Sequence, residues 1–166
     1  MMKKSLTMLA VLCSAVLAFA AEPENLIKEP MTITNPATTV MENGIYTITN
    51  PTADAKSVLR YKVVLNQETA VPLTFAVEGK GIENTGNHGC NFGMYLNLIH
   101  TDNTRTNTVN FGMGKDTFDW RLGQRVYMPK KPVKEVEVYV LFNKIKGKAA
   151  FRNPQLYQGN ITLKMK

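Results

Sequence analysis

Histidine and cysteine, the side chains most used in metal sites and nucleophilic catalysis, are nearly missing: the 166 residues hold two of each, and one tryptophan. Cys13 lies in the leading apolar run, so removing that run leaves Cys90 alone and no intramolecular disulfide to form. The fold must then stand on packing, and Cys90 reads as a small buried hydrophobe. Paired Cys-x-x-Cys and His-x-x-x-His spacings are absent, which excludes the common metal frameworks. A sustained helical period is also absent, so helices are not expected. Long apolar runs are confined to Leu6 to Ala18, broken only by Thr7, Cys13 and Ser14. That run falls short of the roughly 20 residues a membrane span needs. It follows Lys3 and Lys4 and ends in Ala18-Phe19-Ala20, a small-x-small pattern. These features predict a signal peptide over residues 1–20, cleaved after Ala20. Bulky Leu12 before Cys13 argues against lipidation there. The expectation is one secreted or periplasmic domain over residues 21–166, with no stable membrane insertion.

Acidic residues are the scarcer charge, 13 against 20 basic, and the signal segment carries only two of the basic ones. The densest basic stretches are Lys130-Lys131-Pro132-Val133-Lys134 and Lys144-Ile145-Lys146-Gly147-Lys148. Neither has the interleaved aromatics of a nucleic-acid platform, so no nucleic-acid partner is expected. They read as solvated strand ends that discourage edge pairing. They also leave room for weak attraction to an anionic polysaccharide or envelope.

What is present is period-two alternation from Met31 onward, cut by turn residues roughly every 8 to 12 positions, the all-β pattern. Strands are predicted at Met31 to Thr34, Ile45 to Thr49, Ser57 to Asn66, Pro72 to Lys80, Phe92 to Thr101, Thr106 to Met113, Arg121 to Met128, Val133 to Asn143 and Lys148 to Tyr157. Asn50-Pro51, Thr85-Gly86-Asn87, Asp102-Asn103 and Lys146-Gly147 supply turns. So many strands cannot share one flat sheet with a single covered face. A two-sheet antiparallel β-sandwich of the jelly-roll kind is the economical solution. Its order places Ser57 to Asn66, Phe92 to Thr101, Thr106 to Met113 and Val133 to Asn143 in one sheet, making the strands of Tyr95 and Tyr139 neighbours.

Alternation then points Leu96, Leu98, Val136, Val138, Val140 and Phe142 to the core. The opposite face carries Tyr95, Asn97 and Ile99 beside Glu137, Tyr139, Leu141 and Asn143, with Asn110 and Arg60 on flanking strands. Sugar rings present apolar C–H faces rimmed by hydroxyls, so a sugar site wants aromatic platforms with amides or charges nearby. Tyr95, Asn97, Asn110, Tyr139 and Asn143 are therefore the candidate ligand-binding residues. Burial of the tyrosines under a loop would explain them equally well.

Several segments resemble bacterial carbohydrate-binding modules of the galactose-binding-like jelly-roll type. They are Val64-Leu65-Asn66-Gln67, Pro72-Leu73-Thr74-Phe75, Met94 to Thr104, Thr117-Phe118-Asp119-Trp120 and the closing pair Pro129 to Lys134 and Gly147-Lys148-Ala149-Ala150-Phe151. In order, they cover most of Leu59 to Leu156. The resemblance implies a jelly roll and a carbohydrate ligand, with a larger glycan-degrading system as a further partner. It also implies that Trp120 is a packing residue closing one end of the sandwich. Two departures stand out. Arg152 and Asn153 replace acidic residues that help family members hold a structural calcium, so no metal is expected. Glu78 lies near a position where many members expose a tryptophan.

Catalysis has little to work with. His88-Gly89-Cys90 is the one suggestive cluster, but residues two apart on a strand do not usually touch, as a thiol and its base must. A glycosidase needs two carboxyls about 5 to 9.5 Å apart, and nothing singles out a pair among Glu78, Glu83, Asp116, Asp119, Glu135 and Glu137. The expectation is no catalytic residue, no cofactor, and a non-catalytic module that binds a polysaccharide or oligosaccharide. The rival reading is an envelope-associated structural or protein-interaction sandwich whose tyrosines anchor a partner protein.

Overall fold

The computed structural model describes residues 23–28, 30–86, 91–114 and 116–165. The expected signal peptide, Cys13 and the His88-Gly89-Cys90 cluster lie outside the described residues. Ten strands follow in order: β1 (Thr32–Ile33), β2 (Thr39–Glu42), β3 (Ile45–Asn50), β4 (Lys56–Val64), β5 (Leu73–Gly86), β6 (Phe92–His100), β7 (Arg105–Gly112), β8 (Phe118–Tyr127), β9 (Val133–Asn143) and β10 (Ile145–Gln158). They form two five-stranded sheets, β1-β4-β9-β6-β7 and β2-β3-β10-β5-β8. Every pairing is antiparallel. This is the expected sandwich, and the four strands assigned together from the sequence share the first sheet.

Differences from the sequence reading are local. β2 was not expected, because Thr39–Glu42 has no alternating apolar pattern and three of its four residues are exposed. β5 runs on through Thr85 and Gly86, which were read as a turn. The β9–β10 turn is a single residue, Lys144, with φ of 54°, and the expected Lys146-Gly147 turn lies inside β10 as a register shift. Gly147 has φ of 135°, and a Cβ there would stand 2.5 Å from the Glu83 carbonyl oxygen. Its lack of a side chain therefore serves close strand approach.

Side chains from both sheets fill the core. Phe75, Phe92, Phe142 and Phe151 are fully buried, with Phe92 edge-on to Phe142 and Phe151 at 5.3 and 5.2 Å between centroids. Leu96, Leu98, Val136, Val138 and Val140 are likewise sealed from water, as alternation requires. Polar pins close the two ends. At one, buried Asn50 donates to the carbonyls of Phe142 and Ile145 and accepts from the Ser57 hydroxyl, tying the sheets together. At the other, Gln67 accepts from the Val133 amide and donates to Gln158. His100 is buried against Thr106 and the Pro132 carbonyl, a structural position. Each satisfied buried polar group fixes one register where an unpaired one would be costly.

Candidate functional site

The outer face of the first sheet is built as rows across its strands. Pairing sets Thr32 opposite Arg60, Arg60 opposite Tyr139, Tyr139 opposite Tyr95 and Tyr95 opposite Asn110. One continuous row of side chains thus crosses all five strands. The Tyr95 and Tyr139 rings are stacked, 4.4 Å between centroids and 10° between planes. On the other side of Tyr139 the Arg60 guanidinium carbon lies 5.2 Å from its centroid. Burial, reinforced by Tyr139 and opposed by Arg60, pushes the Tyr95 hydroxyl above its ordinary value. Burial, then the Glu137 carboxylate, does the same to Tyr139. Both phenols are therefore neutral in ordinary buffers.

The stacking leaves the two outward tyrosines unequally exposed. Tyr95 is half-buried, while Tyr139 is only 8% exposed because Arg60 and Tyr95 cover its two ring faces. Tyr139 offers its hydroxyl edge, not a flat platform. That hydroxyl donates to Glu137 Oε2, which also accepts from Asn97 Nδ2 and an Arg105 Nη.

The three candidate amides are used inside the protein as well. Asn97 Oδ1 accepts from the Thr108 amide at 3.0 Å, and Asn110 Nδ2 donates to the Thr108 carbonyl at 3.3 Å. Asn143 Oδ1 accepts from the Ser57 amide at 2.8 Å. Tyr95, Tyr139, Asn97 and Asn110 come together in adjoining rows. Asn143 pairs with Lys56, two rows from Tyr139 on the same face. The row between consists of Val58, Leu141, Gly93 and Gly112. A Cβ at Gly93 would stand 2.2 Å from the Phe111 carbonyl oxygen. Close approach of β7 thus dictates a floor without side chains beside Tyr95 and Asn110.

Trp120 lies elsewhere. It is half-buried, apart from the hydrophobic core, with the Arg152 guanidinium carbon 4.3 Å from the centre of its ring system. The reason is a bulge: Gly79 pairs with Arg121 but Gly81 pairs with Phe118, so Asp119 and Trp120 together oppose Lys80. Counting by twos from core-facing Phe118 would send Trp120 inward, and the extra residue reverses that phase.

Beneath Trp120, Glu78 is fully buried. Arg152 Nε donates to one carboxylate oxygen at 2.7 Å and Asn153 Nδ2 to the other at 3.2 Å. A structural calcium, which the family resemblance implies near here, does not fit these residues. It needs several anionic or carbonyl oxygens, and here a guanidinium already meets the buried carboxylate. Among the described residues no group of three or more His, Cys, Asp and Glu side chains is placed to hold a metal ion. The remaining carboxylates considered for acid–base work are scattered. Glu135 pairs with Lys62, Glu137 with Arg105 and Asp119 with Lys80, while Glu83 and Asp116 lie exposed.

No protein-family model and no curated protein matches the chain. Solved structures do. A CBM4 carbohydrate-binding module superposes with a TM-score of 0.51 at 13% identity, covering 77% of each chain. The enzymatically active domain of the bacteriophage CBA120 tailspike protein 4 gives 0.50 at 11% identity, over 79% of this chain and 18% of that one. The CBM22-1 xylan-binding domain from Paenibacillus barcinonensis gives 0.46 at 13% identity, over 84% and 97%. The fold is thus a β-sandwich shared with the CBM4 module. At such identities fold and ligand are separate questions. Among the described residues no helix is long and apolar enough to cross a membrane.

Proposed function

We propose that this chain is a secreted, non-catalytic module that binds a polysaccharide or oligosaccharide on the outer face of the first sheet. The observation that carries the reading is the row Arg60, Tyr139, Tyr95, Asn110, which brings stacked aromatic rings, an amide and a cation onto one strand-crossing line. A sugar needs an apolar surface for its C–H face with polar groups at the rim. Half-exposed Tyr95 is suited to the first role. Asn97, Asn110 and the Tyr139 hydroxyl are suited to the second. Asn143, two rows away, belongs to the site only if the ligand is a chain long enough to cross the intervening row.

Affinity electrophoresis of the secreted protein through a panel of soluble polysaccharides tests this. Retardation by at least one polymer, lost in Tyr95→Ala with unchanged melting, is the expected result. The covered faces of Tyr139 favour a second reading, a protein-interaction surface anchored by the tyrosine edges. Failure to bind any polysaccharide would leave that reading in place of the first. Intact-mass measurement on the exported chain, with its N-terminus at Ala21, checks secretion and cleavage after Ala20.

A further inference from the structure

The outer face of the first sheet does not balance its own charge. Its two acids on β9 are each matched: Lys62 Nζ lies 2.7 Å from Glu135 Oε2, and an Arg105 Nη lies 2.9 Å from Glu137 Oε2. β4 adds two more cations to this face, Lys56 and Arg60. Among the described residues neither forms an ion pair with an acidic side chain. Arg60 is exposed, yet it is not loose, because its guanidinium packs over Tyr139, which Tyr95 backs from the far side. Such packing uses the flat face of a guanidinium and leaves its N–H edge free. A hollow of about 200 Å³ opens beside it, lined by Thr32, Arg60, Tyr61, Lys62, Glu137 and Tyr139.

Resting on the carbohydrate-binding reading above, we infer that this hollow selects an acidic sugar, a uronate unit whose carboxylate pairs with the Arg60 fork. A planar carboxylate matches the fork of donors two by two, which a neutral hydroxyl does not. Exposed ion pairs are commonly worth little because two flexible chains must be ordered. Here the stack over Tyr139 has already restricted the arginine, so less freedom is lost on binding. Glu137, the acid nearest the hollow, has Oε2 engaged by Arg105, Asn97 and the Tyr139 hydroxyl, which offsets its repulsion of an incoming anion. The basic excess of the whole chain, 20 residues against 13, draws polyanions from a distance in the same sense.

The test compares polygalacturonate and alginate with the same polymers after carboxyl reduction, using affinity electrophoresis and titration calorimetry at low and high salt. Proteins are the wild type, Arg60→Gln, Arg60→Lys and Tyr95→Ala. The expected result is wild-type affinity for a uronate polymer about tenfold or more above that for its reduced form, the scale of one charge-assisted pair. Salt should shrink the difference, Arg60→Gln should abolish it while lowering the melting temperature by no more than about a few degrees for the lost contact with Tyr139, and Arg60→Lys should restore it only in part. Equal binding to reduced and unreduced polymers, or a preference untouched in Arg60→Gln, overturns the inference while leaving carbohydrate binding intact. Binding to none of these polymers, with a neutral glycan bound instead in a Tyr95-dependent way, overturns it too. Absence of binding to any glycan at all means that the underlying reading of the face has failed.

Discussion

Arg152 and Glu78 face each other across the neighbouring central strands β10 and β5, with Nε 2.7 Å from Oε2 and the carboxylate wholly removed from water. Glu78 is the only buried carboxylate among the described residues. The guanidinium is held from its other side by Trp120, and Asn153 donates to the carboxylate's other oxygen. A positive side chain thus does internally, in this sheet, what a bound cation would otherwise have to do. Desolvating a carboxylate is tolerable only with such a partner.

Arg152→Ala should therefore be among the most damaging single substitutions on the sheet surface. Orphaning a buried charge costs about 3 to 5 kcal/mol, and the low end applies because Arg152 is itself 33% exposed. Urea unfolding reads this directly. A loss below about 1 kcal/mol would mean that water reaches Glu78 freely in the mutant.

Chelation should leave the protein unchanged. Equal melting temperatures in EDTA and in millimolar calcium are expected, since a ligand specific for the native state would raise the midpoint with its concentration. A calcium-dependent rise would locate a metal site on oxygens other than those of Glu78.

The two stacked tyrosines should separate by phenotype. Tyr139, 8% exposed and covered on both ring faces, should cost about 3 kcal/mol of stability when truncated to alanine, as buried aromatics do. Tyr95→Ala should fold nearly normally and lose about 1 to 3 kcal/mol of glycan affinity. Thermal melts and polysaccharide titrations on both variants decide it, and identical behaviour would show that the stack acts as one unit.

Trp120→Ala should be milder than loss of a core tryptophan. Its ring is half-buried and its specific partner is Arg152, a contact worth about 0.5 to 2 kcal/mol. A double-mutant cycle with Arg152→Ala should return a coupling of about 0.5 to 1 kcal/mol. Zero coupling would show that the indole packs independently of the guanidinium.

Much of the fold was legible because alternation is a local signal with a global meaning. Leu96, Leu98, Val136, Val138 and Val140 fall on one phase as an unbroken aliphatic set, while the other phase mixes apolar with polar residues, so the sheet's inner side followed. The neighbour relation of Tyr95 and Tyr139 followed from strand order. Their stacking did not, because the rotation of a ring on its strand depends on Arg60, which reaches Tyr139 from a third strand. The burial of Tyr139 was equally hidden: an outward phase sets direction, and what stands beside the side chain sets exposure.

By itself the sequence determined the class of structure, the sheet membership of β4, β6, β7 and β9, and the core, because hydrophobic periodicity and turn chemistry are written residue by residue. Only the tertiary structure decided the charge pairing and the exposure of single side chains. Glu78 and Arg152 meet across 74 positions of sequence, and no local pattern encodes so distant a pairing. Trp120 leaves the core through one inserted residue in a ladder, a register event that becomes visible only once β5 and β8 are paired.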